Sequence, residues 1–121
     1  MLELKYYEMR KLFIATTFLL FACAEKKINK ISGMPPCMVS KIEEMLKAQS
    51  ANQPQVVTQY SYKGAAVFYI TSGCCDQYNP VYSSDCQYLG APDGGITGKG
   101  DGRLPDFYTN TTNKKIVWEN K

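Results

Sequence analysis

Apolar positions change their period along the chain, and each change predicts an element. Residues 12–22 are predominantly apolar, between the pair Arg10-Lys11 and the polar run Ala24-Glu25-Lys26-Lys27. From Pro36 the spacing is helical. Met38, Ile42, Met45 and Leu46 recur at i, i+4, i+7 and i+8, and Lys41, Glu43, Glu44 and Lys47 take the other face. This predicts an amphipathic helix of three turns with Pro36 in its first turn. The period then shortens to two. "VVTQYSY" and "AAVFYI" are rich in β-branched and aromatic residues and meet at Lys63-Gly64, which predicts a hairpin. Val56, Thr58, Tyr60 and Tyr62 share one face of its first strand, and Ala66, Phe68 and Ile70 one face of its second. A third, short strand is predicted around Cys86 to Leu89. A last one falls in "KKIVWENK", where Ile116 and Trp118 alternate against Val117. The expected fold is α+β: one N-terminal amphipathic helix packed on a small antiparallel sheet of three to four strands, stapled by disulfides.

The N-terminal apolar run reads as an address. A positive end, an apolar stretch of about 7–15 residues and a small residue before the cut describe a secretory signal peptide. A bilayer-spanning helix needs roughly 20 apolar residues. "LFAC", Leu20 to Cys23, resembles the bacterial lipoprotein lipobox, and that resemblance implies cleavage before Cys23 and its acylation. Glu3 and Glu8 dilute the positive end, so the address reads better from Met9. The expected division is a lipoprotein signal peptide over 1–22, a tether over 23–35 broken by Gly33 and Pro35-Pro36, and one globular domain over 36–121. The location implied is the bacterial cell envelope, with the chain held on the membrane by its N-terminal lipid and facing the periplasm.

With Cys23 assigned to lipid, Cys37, Cys74, Cys75 and Cys86 remain, an even number in a compartment where disulfides persist. A bond between neighbours Cys74 and Cys75 would strain the intervening peptide, because bridged Cα atoms usually lie about 4.4–6.8 Å apart. The expectation is that Cys37 takes one of the vicinal pair and Cys86 the other. About 85 residues build a marginal core, so staples are expected.

The chain of 121 residues has no histidine. Ser-His-Asp and Cys-His catalysis and histidine-based zinc sites are thereby excluded. The net charge of +3 is spread among interspersed acids and bases, which argues against a nucleic-acid surface. No cofactor is expected.

The densest chemistry lies in "APDGGITGKGDGRLPDF", Ala91 to Phe107. Gly98-Lys99 is followed by Gly100, so the hydroxyl that a phosphate-binding loop needs is missing. Asp93, Asp101 and Asp106 are hard oxygen ligands suited to calcium, with Lys99 and Arg103 opposing a cation nearby. The bland alternative is a turn system in which each glycine takes positive φ and each Asp caps a turn.

"YKGAAVFYITSGCCDQYNPVYSSDC", "APDGGITGKGDG", "PDF" and "KIVWENK" together resemble an uncharacterised family of small Bacteroidota lipoproteins, over about residues 36–121. In that family a Cys often stands at the positions of Gly90 and Leu104, which implies a disulfide across the glycine loop that this chain lacks. The resemblance implies a fold and a location, and no activity. The functional expectation is a non-catalytic binding module for an envelope protein, peptide or glycan. Its contact loop would comprise Asp93, Gly94, Gly95, Lys99, Asp101 and Asp106, flanked by Tyr88, Phe107 and Tyr108. The alternatives are a calcium-stabilised domain using Asp93, Asp101 and Asp106, a carboxylate enzyme using the same acids, and a small inhibitor-like domain.

Overall fold

Hydrophobic residues at helical spacing after Pro36 produce α1, Pro36–Lys47. The computed structural model describes residues 33–48, 50–74 and 76–121. The segment expected to be a signal peptide, most of the expected tether with Cys23, and Cys75 lie outside the described residues. Pro36 opens the helix, where a missing N–H costs nothing. Met38 and Ile42 are fully buried, and Met45 and Leu46 pack beside them. Burial of each such side chain contributes about 1.5–3 kcal/mol.

Five strands follow: β1 (Pro54–Tyr62), β2 (Ala65–Ser72), β3 (Tyr78–Ser83), β4 (Tyr88–Gly94) and β5 (Thr111–Glu119), with a four-residue helix, α2 (Phe107–Asn110), before the last. They form one antiparallel sheet in the order β4-β3-β2-β1-β5. The β1–β2 hairpin turns at Lys63 (φ 49°) and Gly64 (φ 82°). Two left-handed residues are what a two-residue turn needs to match the strand twist.

Alternation along β2 divides the core between the two faces of the sheet. Phe68 and Ile70 join Val57, Val117 and Trp118 under α1 and Met34. Val67 and Tyr69 join Tyr62, Val81, Leu104 and Phe107 on the opposite face. Met34, assigned to the tether from sequence, is part of the first core. The second core is roofed by the segment after β4, so the glycine-rich stretch is a layer of the fold.

The expected architecture of three to four strands is corrected by this sheet of five, against which packs one helix of only twelve residues, with the four-residue α2 before β5. The third strand was expected around Cys86 to Leu89, but Cys86 takes φ 62° in the turn between β3 and β4. There the Ser83 N–H donates to Gln87 O and the Cys86 N–H to Ser83 O, both at 2.9 Å. The alternation expected at the C-terminus fails at a bulge. Val57 pairs with Trp118 and Thr58 with Ile116, so the extra residue Val117 is buried beside Trp118 while Ile116 faces water.

The disulfide pairing is also corrected. Cys37 is bonded to Cys86. The first turn of α1 lies against the β3–β4 turn, at the opposite end of the sheet from the β2–β3 loop that carries Cys74. The length of β3 separates the two ends, so neither cysteine needs the vicinal pair. Cys74 is itself disulfide-bonded. The Cys37–Cys86 bond spans 49 positions, and the chain-entropy account assigns such a closure about 4 kcal/mol.

Candidate functional site

The segment leaving β4 first runs back along that strand's outer edge. The Gly100 N–H donates to Gly94 O at 3.1 Å and the Asp101 N–H to Ala91 O at 3.0 Å, and Gly94 bridges Lys99. An edge strand would otherwise present a row of unpaired backbone groups. Close approach explains the glycines. A Cβ on Gly94 (φ 81°) would strike the Gln77 carbonyl oxygen, and one on Gly100 (φ 72°) the Ala91 carbonyl oxygen. The tip is a β-turn in which the Gly98 N–H donates to Gly95 O at 3.1 Å, with Ile96 and Thr97 at its corners.

Three carboxylates then join this segment to the sheet through tyrosines: Asp101 and Asp106 of the segment accept from strand tyrosines, and Asp93, on β4, accepts from Tyr108 of α2 as well as from the sheet. Asp93 accepts from the Tyr69 hydroxyl at 2.6 Å, from Asn79 Nδ2 at 2.7 Å and from the Tyr108 hydroxyl. Asp101 accepts from the Tyr88 hydroxyl at 2.5 Å and from the backbone N–H groups of Ala91 and Arg103, both at 3.0 Å. Asp106 accepts from the Tyr62 hydroxyl at 2.7 Å and from Asn110 Nδ2 at 3.0 Å, and pairs with Lys63 Nζ at 3.0 Å. Tyr62, Tyr69 and Tyr88 come from β1, β2 and β4. Between them Phe107 is fully buried, with the rings of Tyr60, Tyr62, Tyr69 and Tyr108 at 5.4–5.9 Å.

The electrostatics follow from these bonds. The Tyr88 hydroxyl, helped by the Ala91 and Arg103 amides, holds Asp101 below its ordinary 3.8. The Tyr62 hydroxyl and then Lys63 do the same for Asp106. Burial and then the neighbouring carboxylate push Tyr88 and Tyr108 up to about 12, and Tyr69 further. At neutral pH Asp101 and Asp106 are charged acceptors surrounded by donors.

This geometry sorts the residues expected from sequence. Asp93 lies on β4 and Asp101 and Asp106 in the segment after it, and their tyrosine partners Tyr69, Tyr88 and Tyr62 sit on three different strands. The carboxylate oxygens already accept hydroxyl and amide hydrogens that a calcium ion would have to displace. Among the described residues no group of three or more His, Cys, Asp or Glu is placed to hold a metal. Phe107, expected at the contact surface, is core instead. Tyr88 and Tyr108 remain on the surface, as does Tyr78, whose ring lies against Gly95. Lys99 points outward, and Arg103 covers the Tyr88 ring at 5.6 Å. Positions 90 and 104 are neighbours: a Cβ on Gly90 would lie 3.0 Å from Leu104 Cγ. Sequence reasoning missed Tyr62, Tyr69 and Asn79 as carboxylate partners, and Ile96 as a surface residue. The matching signal is that alternation puts Tyr60 and Tyr62 on one face and Tyr69 on the corresponding face of its partner strand.

The fold and this site define a small disulfide-stapled sheet domain with a glycine-rich second layer. Residues 43–120 match a family model described as a domain of unknown function (DUF6970), and the chain belongs to that family. No curated protein and no solved structure matches it.

Proposed function

We propose that this chain is a lipid-anchored, non-catalytic binding module of the bacterial cell envelope, and that the outer side of the glycine-rich layer is its contact surface. One observation carries the reading. Asp93, Asp101 and Asp106 are each engaged by tyrosine hydroxyls that hold the fold, while Ile96, Lys99 and much of the Tyr88 and Tyr108 side chains face solvent. A surface fixed before it meets a ligand loses little conformational freedom on binding. The carboxylate-enzyme reading fits this arrangement poorly, because each acid is already engaged in holding the fold. The inhibitor-like reading draws on the same fixed turn and is a special case of binding. The anchor rests on the lipobox resemblance at Cys23.

The test is comparative enrichment. Full-length protein and a Thr97→Asp/Lys99→Ser/Arg103→Ser variant, both with folding verified, are used to enrich binders from envelope extract. Enrichment of a defined protein or glycan that the variant loses supports the reading. Equal enrichment by both sinks it. An intact-mass spectrum of membrane-extracted protein lacking acyl groups on Cys23 removes the anchor.

A further inference from the structure

The chain enters the domain at the sheet edge opposite the glycine-rich layer, and this bears on how the domain meets a membrane. Met34 is buried in the core that Val57, Val117 and Trp118 share. Gly33, just before it, is exposed, and a Cβ there would lie 3.8 Å from both Gln59 Oε1 and Lys115 Nζ. The N-terminal segment therefore reaches the fold over β1 and β5. β5 is one edge of the sheet, and β4, whose outer side carries the glycine-rich segment, is the other. Four strand spacings, about 19 Å, separate them.

At this entry β5 presents Lys114, Lys115 and Ile116 to solvent in succession, with Ile116 49% exposed. Successive side chains point to opposite faces of a strand, so the two lysines flank the edge on both sides. Among the described residues neither is in an ion pair. The acid on this strand is Glu119, four residues beyond Lys115 and about 13 Å along it. Glu43 and Glu44, exposed on α1, pair with neither lysine. Lysines also blunt an edge strand against pairing with other chains. That role accounts for charge on β5, but not for its place beside the tether. Cys23, where the lipid is expected, is ten residues from Gly33. A flexible chain of that length has a root-mean-square span of about 17 Å, so β5 is the part of the fold held nearest the lipid. We infer that the outer edge of β5, through Lys114 and Lys115, rests on the anionic headgroups of the anchoring membrane, and that the glycine-rich layer is thereby presented on the far side. This deepens the reading of a lipid-anchored binding module and rests on it. An anchored domain needs only a weak, screened attraction of this kind to set its orientation.

The test is the reactivity of lysines in acylated full-length protein reconstituted into vesicles. A small uncharged acetylating reagent is added, and each lysine is quantified by peptide mass spectrometry. In vesicles containing phosphatidylglycerol, Lys114 and Lys115 should react at least about threefold more slowly than in detergent, and Lys99 no more slowly. The protection should vanish in phosphatidylcholine vesicles, and at about 1 M salt, where charges are screened beyond roughly 3 Å. The same behaviour at all three lysines overturns the inference and leaves the layer as a contact surface. Protection of Lys99 alone overturns it too, and turns the layer toward the lipid. Protection of Lys114 and Lys115 that persists in phosphatidylcholine assigns it to a second copy of the chain and overturns the lipid partner. Protein that carries no acyl group on Cys23 when extracted from cells removes the anchor, and the inference with it.

Discussion

Tyr62 and Asp106 are 44 positions apart in the chain, and the Tyr62 hydroxyl donates to the Asp106 carboxylate at 2.7 Å. The bond joins the end of β1 to the start of α2, and so fixes where the second layer returns to the sheet. Tyr62 is buried, and its ring packs 5.6 Å from Phe107. Tyr62→Phe keeps the ring and removes only the donor. A hydrogen bond to a charged acceptor contributes about 1.5–3 kcal/mol, and Asp106 keeps Asn110 and Lys63, so a loss of about 1–2 kcal/mol is expected. A double-mutant cycle with Asp106→Asn, read by urea midpoint, should give a positive coupling energy. Additive losses would show that the two residues stabilise the fold separately.

The clasps also set how stability depends on pH. Asp101 and Asp106 sit below their ordinary 3.8 in the folded chain, chiefly through Tyr88 and Tyr62. In acid the unfolded chain therefore binds more protons. Their contribution is complete above about pH 3.8 and is lost as pH falls through the lowered folded values. At the other end, Tyr88 and Tyr108 are raised from 10 to about 12. Their contribution is complete below pH 10 and is lost as pH rises through about 12. The melting temperature should fall in both windows. Tyr88→Phe should flatten the alkaline fall, followed by tyrosinate absorbance. An unchanged alkaline profile in that variant would assign the fall to other tyrosines.

Two glycines of the layer share a conformation and differ in surroundings, which makes a controlled comparison. Gly98 (φ 71°) has nothing within 4 Å of an added Cβ. Gly100 (φ 72°) would place one on the Ala91 carbonyl oxygen, with Asp93 N at 2.8 Å. Gly98→Ala should cost only the left-handed penalty, about 1–2 kcal/mol. Gly100→Ala adds a backbone clash that only separation of the segment from β4 can relieve. It should cost clearly more, and amide exchange should rise at Asp101, whose N–H donates to Ala91 O. Equal costs for the two variants would mean that the edge pairing gives way easily.

What could be read from the sequence follows from range. The helix was legible because Met38 and Ile42 are four residues apart, and the hairpin because Lys63-Gly64 sits between two alternating runs. β4 was not, because "YLGAPDG" carries Gly90, Pro92 and Gly94, residues that usually mark turns and that an edge strand tolerates. β3 was hidden by Pro80, which sits at a bulge between Asn79 and Val81. The acids of the site were found by composition, but their direction was not. It depends on tyrosines 13, 24 and 44 positions away. The disulfide pairing depended likewise on which end of the sheet receives the start of α1. Ile96 was missed because an aliphatic residue is read as core by default.

The contact between Gly90 and Leu104 allows the family resemblance to be tested in this chain. Across a disulfide, the Cβ of one cysteine lies about 3.0 Å from the sulfur of the other. Leu104 Cγ occupies the sulfur's place, 3.0 Å from a Cβ built on Gly90. A Gly90→Cys/Leu104→Cys variant should therefore form a third bridge, clasping the layer at its midpoint. The bridge closes about 15 residues, for which the chain-entropy account gives about 3 kcal/mol. Gly90 has φ 151°, and Arg103 Cβ would lie 2.8 Å from the added carbon, so part of that gain is offset by strain. A Gly90→Ala/Leu104→Ala variant carries the same backbone strain without the bond and is the proper reference. The bridged variant should melt above it, and peptide mapping should show residues 90 and 104 linked with Cys37–Cys86 intact. A variant whose new cysteines stay reduced, or that melts no higher than the alanine pair, would show that the two backbones cannot close on a disulfide.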